Sequence, residues 1–266
     1  MNFKVFKYSI CILFIGWLTG CADVPESGES KFMLISPSEE AQMGEQAFDE
    51  LKKEKKISKD MEATLKVQRV AERVIEQVDP PKERWEIVVF EEPTPNAFAL
   101  SGRKVGVYDG LMPFVYNDAQ LAAVIGHEVA HVKLRHSGQR FSQQLVTQLG
   151  ISTLDVAMKQ QPEQTRQLWM NAAGAGSDVF VTLPYSHGHE YEADRYGLNY
   201  MARAGYDPRE AVAFWKRMQE YENKNGGQSP AWFNFLSTHP TTPERIQALE
   251  KQLPEAIALY ERSPKN

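Results

Sequence analysis

The chemistry of this chain concentrates on a few histidines and acids. His127-Glu128-Val129-Ala130-His131 is an HExxH string. On a helix, four residues advance by about 400°, so the two imidazoles sit about 40° apart and both reach one Zn²⁺. Glu128 is offset from His127 by about 100° and lies beside the metal, which suits a general base acting on water. Chance alone gives a chain of this composition such a string about one time in a hundred. The plainer reading, a buried helix that happens to carry two histidines, is costly, because buried His and Glu need polar partners. The implied chemistry is metal-assisted hydrolysis, and it needs a third ligand.

His136 is close in sequence, but on a continuous helix it lies about 140° from His131 and about 180° from His127, off the ligand face. It reads as a residue that supports the ligands or the fold. The better third ligand is Glu190, in His189-Glu190-Tyr191-Glu192-Ala193-Asp194. It would complete a His₂Glu site holding one Zn²⁺ per chain, with a fourth position open to water. Asp194, one turn on, shares the face of Glu190 and could orient His127 or His131 through the free ring nitrogen. Glu192 is about 200° from Glu190, so both cannot serve one metal, and it reads as solvated helix charge. All six histidines fall at 127/131/136, 187/189 and 239. His239 stands in Ser237-Thr238-His239-Pro240, a loop before the last helix.

Several elements must position these groups. Ser36 to Glu39 has the form of a capping box opening a helix with Ala41, Gly44, Phe48 and Leu51 on one face. Val67, Val70, Ala71, Val74, Ile75 and Val78 mark a second helix that stops before Pro80-Pro81. Trp85–Phe90, Ala97–Leu100 and Lys104–Tyr108 read as a small, mostly antiparallel sheet with a turn at Ser101-Gly102-Arg103. Ala119–His136 is apolar nearly all round and reads as a central, buried helix. Further helices are expected near 139–159, 163–181, 189–203, 208–224 and 243–261, with a weak point at 172–177. The fold class is α+β, mainly α, with no solenoid repeat.

With these motifs in place, the chain resembles a known family. HEVAHVKLRH (127–136), NAFAL (96–100), YSHGHEYEADRYGL (185–198) and STHPTTPERI (237–246) occur in that order. They resemble the gluzincin metallopeptidases that include the CAAX prenyl proteases, HtpX, the mitochondrial Oma-type protease, BepA and LoiP. In form the chain is most like the LoiP-type periplasmic lipoproteins. The resemblance covers roughly residues 36–250 and implies a helical zincin-type domain around the HExxH helix. It implies His127, His131 and Glu190 as zinc ligands, Glu128 as base, and Asp194 in support. His239 matches a family histidine near the metal, either a donor to the oxyanion or a fourth ligand that keeps the enzyme latent. His187 stands where related sequences often carry Arg. Asn96, Ala97, Phe98 and Ala99 would offer an exposed sheet edge to an extended peptide, and Phe98 packing inward as in a core strand is compatible with that, because alternate residues face opposite ways.

Composition narrows the class. With 266 residues, 42% hydrophobic and 24% charged, the chain is ordinary globular protein, and a net charge of −5 argues against nucleic acid as a partner. Lys4 and Lys7, then an apolar run from Tyr8 to Leu18, then Leu18-Thr19-Gly20-Cys21, read as a lipoprotein signal over 1–20 with lipid on Cys21. Residues 21–35 would be a lipid-anchored tether, and 36–266 a single metallopeptidase domain. The resemblance of Leu18–Cys21 to the lipobox of bacterial lipoproteins implies a periplasmic location, leaning to the outer membrane because Ala22, not Asp, follows the cysteine. The expected function is a zinc endopeptidase of the bacterial cell envelope that cleaves unfolded or damaged proteins. The alternative is a chaperone-like assembly factor for outer-membrane proteins that seldom cuts.

Overall fold

The computed structural model describes residues 21–79, 84–144, 185–224 and 238–265. The leader expected over 1–20, the helix expected over 163–181, most of that over 139–159 and the weak point at 172–177 lie outside the described residues.

The described chain begins with a hairpin where a tether was expected. β1 (Cys21–Val24) pairs antiparallel with β2 (Glu29–Phe32), and Gly28 at φ +70° closes the turn. Cys21 is exposed, whereas Val24 and Met33 enter the main apolar core. Helix α1 (Pro37–Glu54) starts at the capping box of Ser36 and Glu39. Helix α2 (Met61–Ile75) buries Val67, Val70, Ala71, Val74 and Ile75, the face its spacing marked out.

A three-stranded sheet follows, from β3 (Glu86–Phe90), β4 (Ala97–Leu100) and β5 (Lys104–Tyr108). Its order is β3-β5-β4, with β3 and β5 parallel and β4 and β5 antiparallel. Pro93 and Pro95 break the chain after β3, and the β4–β5 hairpin returns with β5 innermost. Phe48, Phe90, Phe98 and Tyr108 form an aromatic cluster between α1 and one sheet face, largely through edge-to-face contacts. The other face of the sheet joins the main core.

Helix α3 (Asp118–Lys133) carries the HExxH string, and every residue from Gln120 to His131 is buried. It is packed against α2, β4 and the later helices α4 (His187–Arg203) and α5 (Arg209–Lys224). Helix α6 (Pro243–Arg262) closes the core against α4 and α5. The pairing of α3 with α4 places the chemistry, and two glycines set it. A Cβ on Gly197 would lie 2.7 Å from the backbone nitrogen of His127, and one on Gly126 would lie 2.8 Å from the carbonyl oxygen of Gly197. Two helices approach this closely only where neither carries a side chain.

Candidate metal centre

The α3–α4 contact brings four donors to one point. His127 Nε2 lies 3.0 Å from His131 Nε2 and 3.2 Å from His239 Nδ1. Glu190 Oε1 lies 3.3 Å from His131 Nε2 and 3.2 Å from His239 Nδ1. A tetrahedral ion with bonds of about 2.0–2.1 Å separates its ligand atoms by about 3.3–3.4 Å. These four separations are of that size, all four donor atoms lie within 4.8 Å of one another, and three imidazoles and a carboxylate are donors that zinc accepts. None of the four residues is more than 3% exposed.

Each donor has a structural reason for its place. His127 and His131 share a face of α3, one turn apart. Ser186 caps α4 by accepting from His189 N, which starts the helix so that Glu190 falls in its first turn, aimed at α3. His239 sits just ahead of α6, whose first turn is capped by Thr242. Its Nδ1 faces the other donors and its Nε2 lies 3.3 Å from Glu128 Oε1. Glu128 is buried beside the cluster, and its Oε1 has no hydrogen-bond donor of its own.

Charge explains why so many acids can be buried here. Glu128, Glu190 and Asp194 bring three carboxylates into the interior. Arg245, on α6, is buried among them. Its Nε and Nη2 donate to the two oxygens of Asp194 at 2.6 and 2.8 Å, and its Nη1 is 2.6 Å from Glu190 Oε2. Its guanidinium also stacks 4.2 Å from the ring centre of Trp215. A dication and one arginine balance three carboxylates. Burial raises Glu190, but Arg245, His239 and His127 outweigh it and hold the carboxyl well below the usual range. Burial would lower His127, but Glu190 and Asp194 lift it to about 9, so the site favours a positive charge, proton or metal, at that ring.

Asp194 Oδ1 is 2.9 Å from His127 Nδ1, so of the two histidines it could have oriented, it meets His127. His136 is not among the four converging donors, but it does not point away as a continuous helix required. Helix α3 ends at Lys133, and Arg135 takes a left-handed backbone at φ 57°. The chain therefore turns, and His136 Nδ1 comes within 2.9 Å of His131 Nδ1. Glu40 holds that turn by accepting from Arg135 Nε at 2.9 Å. Glu192 is no solvated charge, since its carboxylate meets His136 and Lys31.

The strand Asn96–Ala99 departs from expectation. β4 is last in the strand order, yet Asn96, Ala97, Phe98 and Ala99 are all buried, so the edge is not open to solvent. Phe98 packs in the aromatic cluster, as a core strand requires. Arg245, Trp215 and Tyr185 carry no role in the sequence reading. Tyr185 stacks on His131 with ring centres 3.8 Å apart. Arg245 was inferable from charge alone, because three acids around a dication leave one negative charge to be met.

Comparison with known proteins agrees with this geometry. The family model for peptidase family M48 matches residues 62–253. The mitochondrial metalloendopeptidase OMA1 of Schizosaccharomyces pombe is 34% identical over 90% of this chain and 68% of its own length. The same-named enzyme of Saccharomyces cerevisiae is 29% identical over 95% of this chain and 74% of its own. The beta-barrel assembly-enhancing protease of Escherichia coli is 25% identical over 84% of this chain and 45% of its own. These relatives overturn the periplasmic, outer-membrane location expected from the N-terminus, since the two that this chain covers over most of their length are mitochondrial enzymes. A family match spanning both halves of the four-donor cluster leaves one assignment: the chain belongs to peptidase family M48 and is a zinc metalloendopeptidase.

Proposed function

We propose that this endopeptidase cleaves unfolded or extended polypeptides, with His127, His131 and Glu190 holding zinc and Glu128 acting as general base. The convergence of the four donor atoms, with neighbouring pairs 3.0–3.3 Å apart and the buried Glu128 carboxylate beside them, carries the reading. When bound, zinc supplies a Lewis acid that polarises the scissile carbonyl and acidifies water. Glu128 Oε1 accepts a proton from the attacking water and delivers it to the departing amine nitrogen as the C–N bond breaks. Asp194 accepts from His127 Nδ1 and fixes that ring. Arg245 neutralises the acids that a metal alone would leave in excess.

Burial supports the substrate class. A folded protein cannot present a peptide bond to donors of which none is more than 3% exposed. His239 occupies the position that water or substrate needs, which supports a latent resting state in which it is a fourth ligand. The same observation favours a second reading, a protein that binds extended chains and seldom cuts them. Incubation of the purified chain with unfolded casein, with and without a chelator, separates these. Slow cleavage abolished by chelator and restored by zinc is the expected result. Binding of casein with no cleavage at any zinc concentration favours the second reading.

A further inference from the structure

The two histidines of the HExxH string are supported differently. His127 meets its carboxylate directly, through Asp194 at 2.9 Å. His131 has no carboxylate at Nδ1; it has His136, whose Nδ1 is 2.9 Å away. The other nitrogen of His136, Nε2, faces Glu192 Oε2 at 3.4 Å, and Glu192 Oε1 faces Lys31 Nζ at 3.4 Å.

Proton placement gives this chain a direction. A neutral imidazole carries one N–H. With His131 Nε2 turned to the other donors, its proton is on Nδ1 and is donated to His136 Nδ1. His136 then carries its own proton on Nε2 and donates it to Glu192. Each ring has one role only, so the chain sets both tautomers, while Lys31 Nζ at its end also pairs with Glu29 Oε2 at 2.6 Å. The rings are also held by stacking, His131 on Tyr185 and His136 on His189, the latter with centres 4.4 Å apart and planes 20° from parallel. Lys31 belongs to β2, and the same hairpin is tied to α4 where Tyr200 donates to Glu26 at 2.7 Å.

We propose that Glu192 is a positioning residue for His131, acting through His136, and that Lys31 on the N-terminal hairpin holds Glu192 in place. The proposal rests on His131 being a zinc ligand. It makes the seating of the hairpin a determinant of metal affinity.

The test measures zinc affinity of the full chain by competition with a chromophoric chelator, together with the visible spectrum of the cobalt-substituted protein. Glu192→Ala should weaken zinc about 10–100-fold and shift the cobalt bands. Glu192→Gln, whose amide oxygen can still accept from His136 Nε2, should recover most of the affinity. Lys31→Met should give a smaller loss in the same direction. Zinc affinity of Glu192→Ala within threefold of the wild type, with an unchanged cobalt spectrum, overturns the proposal. So does a loss confined to the melting temperature of the metal-free chain. If Glu192→Ala does not fold, Lys31→Met decides, and unchanged zinc affinity in that variant overturns the link to the hairpin. His131→Ala is the control for the underlying reading. Wild-type affinity there refutes the ligand assignment itself, whereas lost affinity there with none lost in Glu192→Ala refutes only the relay.

Discussion

Gly197→Ala tests whether the helix contact, and not only the ligands, builds the centre. The new Cβ would lie 2.7 Å from His127 N, 2.8 Å from Gly126 C and 2.9 Å from His127 Cα, all backbone that cannot swing aside. Restoring ordinary contact requires α3 and α4 to part by about 0.5–0.7 Å. The donors span that same pair, with Glu190 on α4 and both histidines of the string on α3. Metal–ligand distances tolerate about ±0.2 Å, so the separation exceeds what the site can absorb. Overpacking costs about 1–3 kcal/mol, offset by up to about 1 kcal/mol from removing a helical glycine. Gly188→Ala isolates the second effect, because its Cβ would meet only Ser186 Oγ at 3.8 Å on the same helix. Denaturant unfolding should place Gly197→Ala about 1–3 kcal/mol below Gly188→Ala. Its zinc affinity, read by chelator competition, should fall at least about tenfold. If the two variants match in stability and both keep wild-type zinc affinity, the reasoning fails.

His239→Ala should keep zinc and cleave unfolded casein several-fold faster than the wild type, checked by gel densitometry with metal analysis. A slower variant would make His239 a transition-state donor instead of a restraint. Arg245→Met leaves three buried carboxylates without their counter-charge and should cost about 3–5 kcal/mol in unfolding experiments on the metal-free chain. Burial raises Asp79, but hydrogen bonds from Lys133 at 2.7 Å and Trp85 at 2.8 Å, with Arg103 nearby, hold its carboxyl below the usual range. A lowered folded value stabilises above the unfolded value of about 3.9 and is lost as pH falls through the folded one. Asp79→Asn should therefore be less stable than the wild type by about 1–3 kcal/mol near neutrality, and the gap should shrink below about pH 4 in urea titrations.

What the sequence made legible was local. Helical periodicity placed His127, Glu128 and His131 on α3, and the same arithmetic separated Glu190 and Asp194 from Glu192 on α4. It failed where one residue redirects the chain. The exclusion of His136 assumed that the helix ran through Arg135, and nothing in Leu134-Arg135 signals a left-handed turn held by Glu40, ninety-five positions away. Glu192 was misread for a related reason: its partners, His136 and Lys31, come from distant segments. The hairpin at 21–32 was hidden by its polar composition, since within it Val24 alone is buried in the core and Ala22 packs against it. The strand Ala97–Leu100 was found, but its coverage depends on packing that no strand pattern encodes.

In the proposed mechanism, zinc binding and proteolysis are separate duties of adjacent residues on α3, and Glu128→Gln pulls them apart. The amide keeps the shape of the side chain but cannot accept the proton, and Glu128 is not among the four converging donors. The purified variant should retain one zinc per chain by elemental analysis and unfold like the wild type, while its cleavage of unfolded casein drops at least about 10²-fold. Wild-type turnover in that variant, or loss of its zinc, would contradict this division of roles.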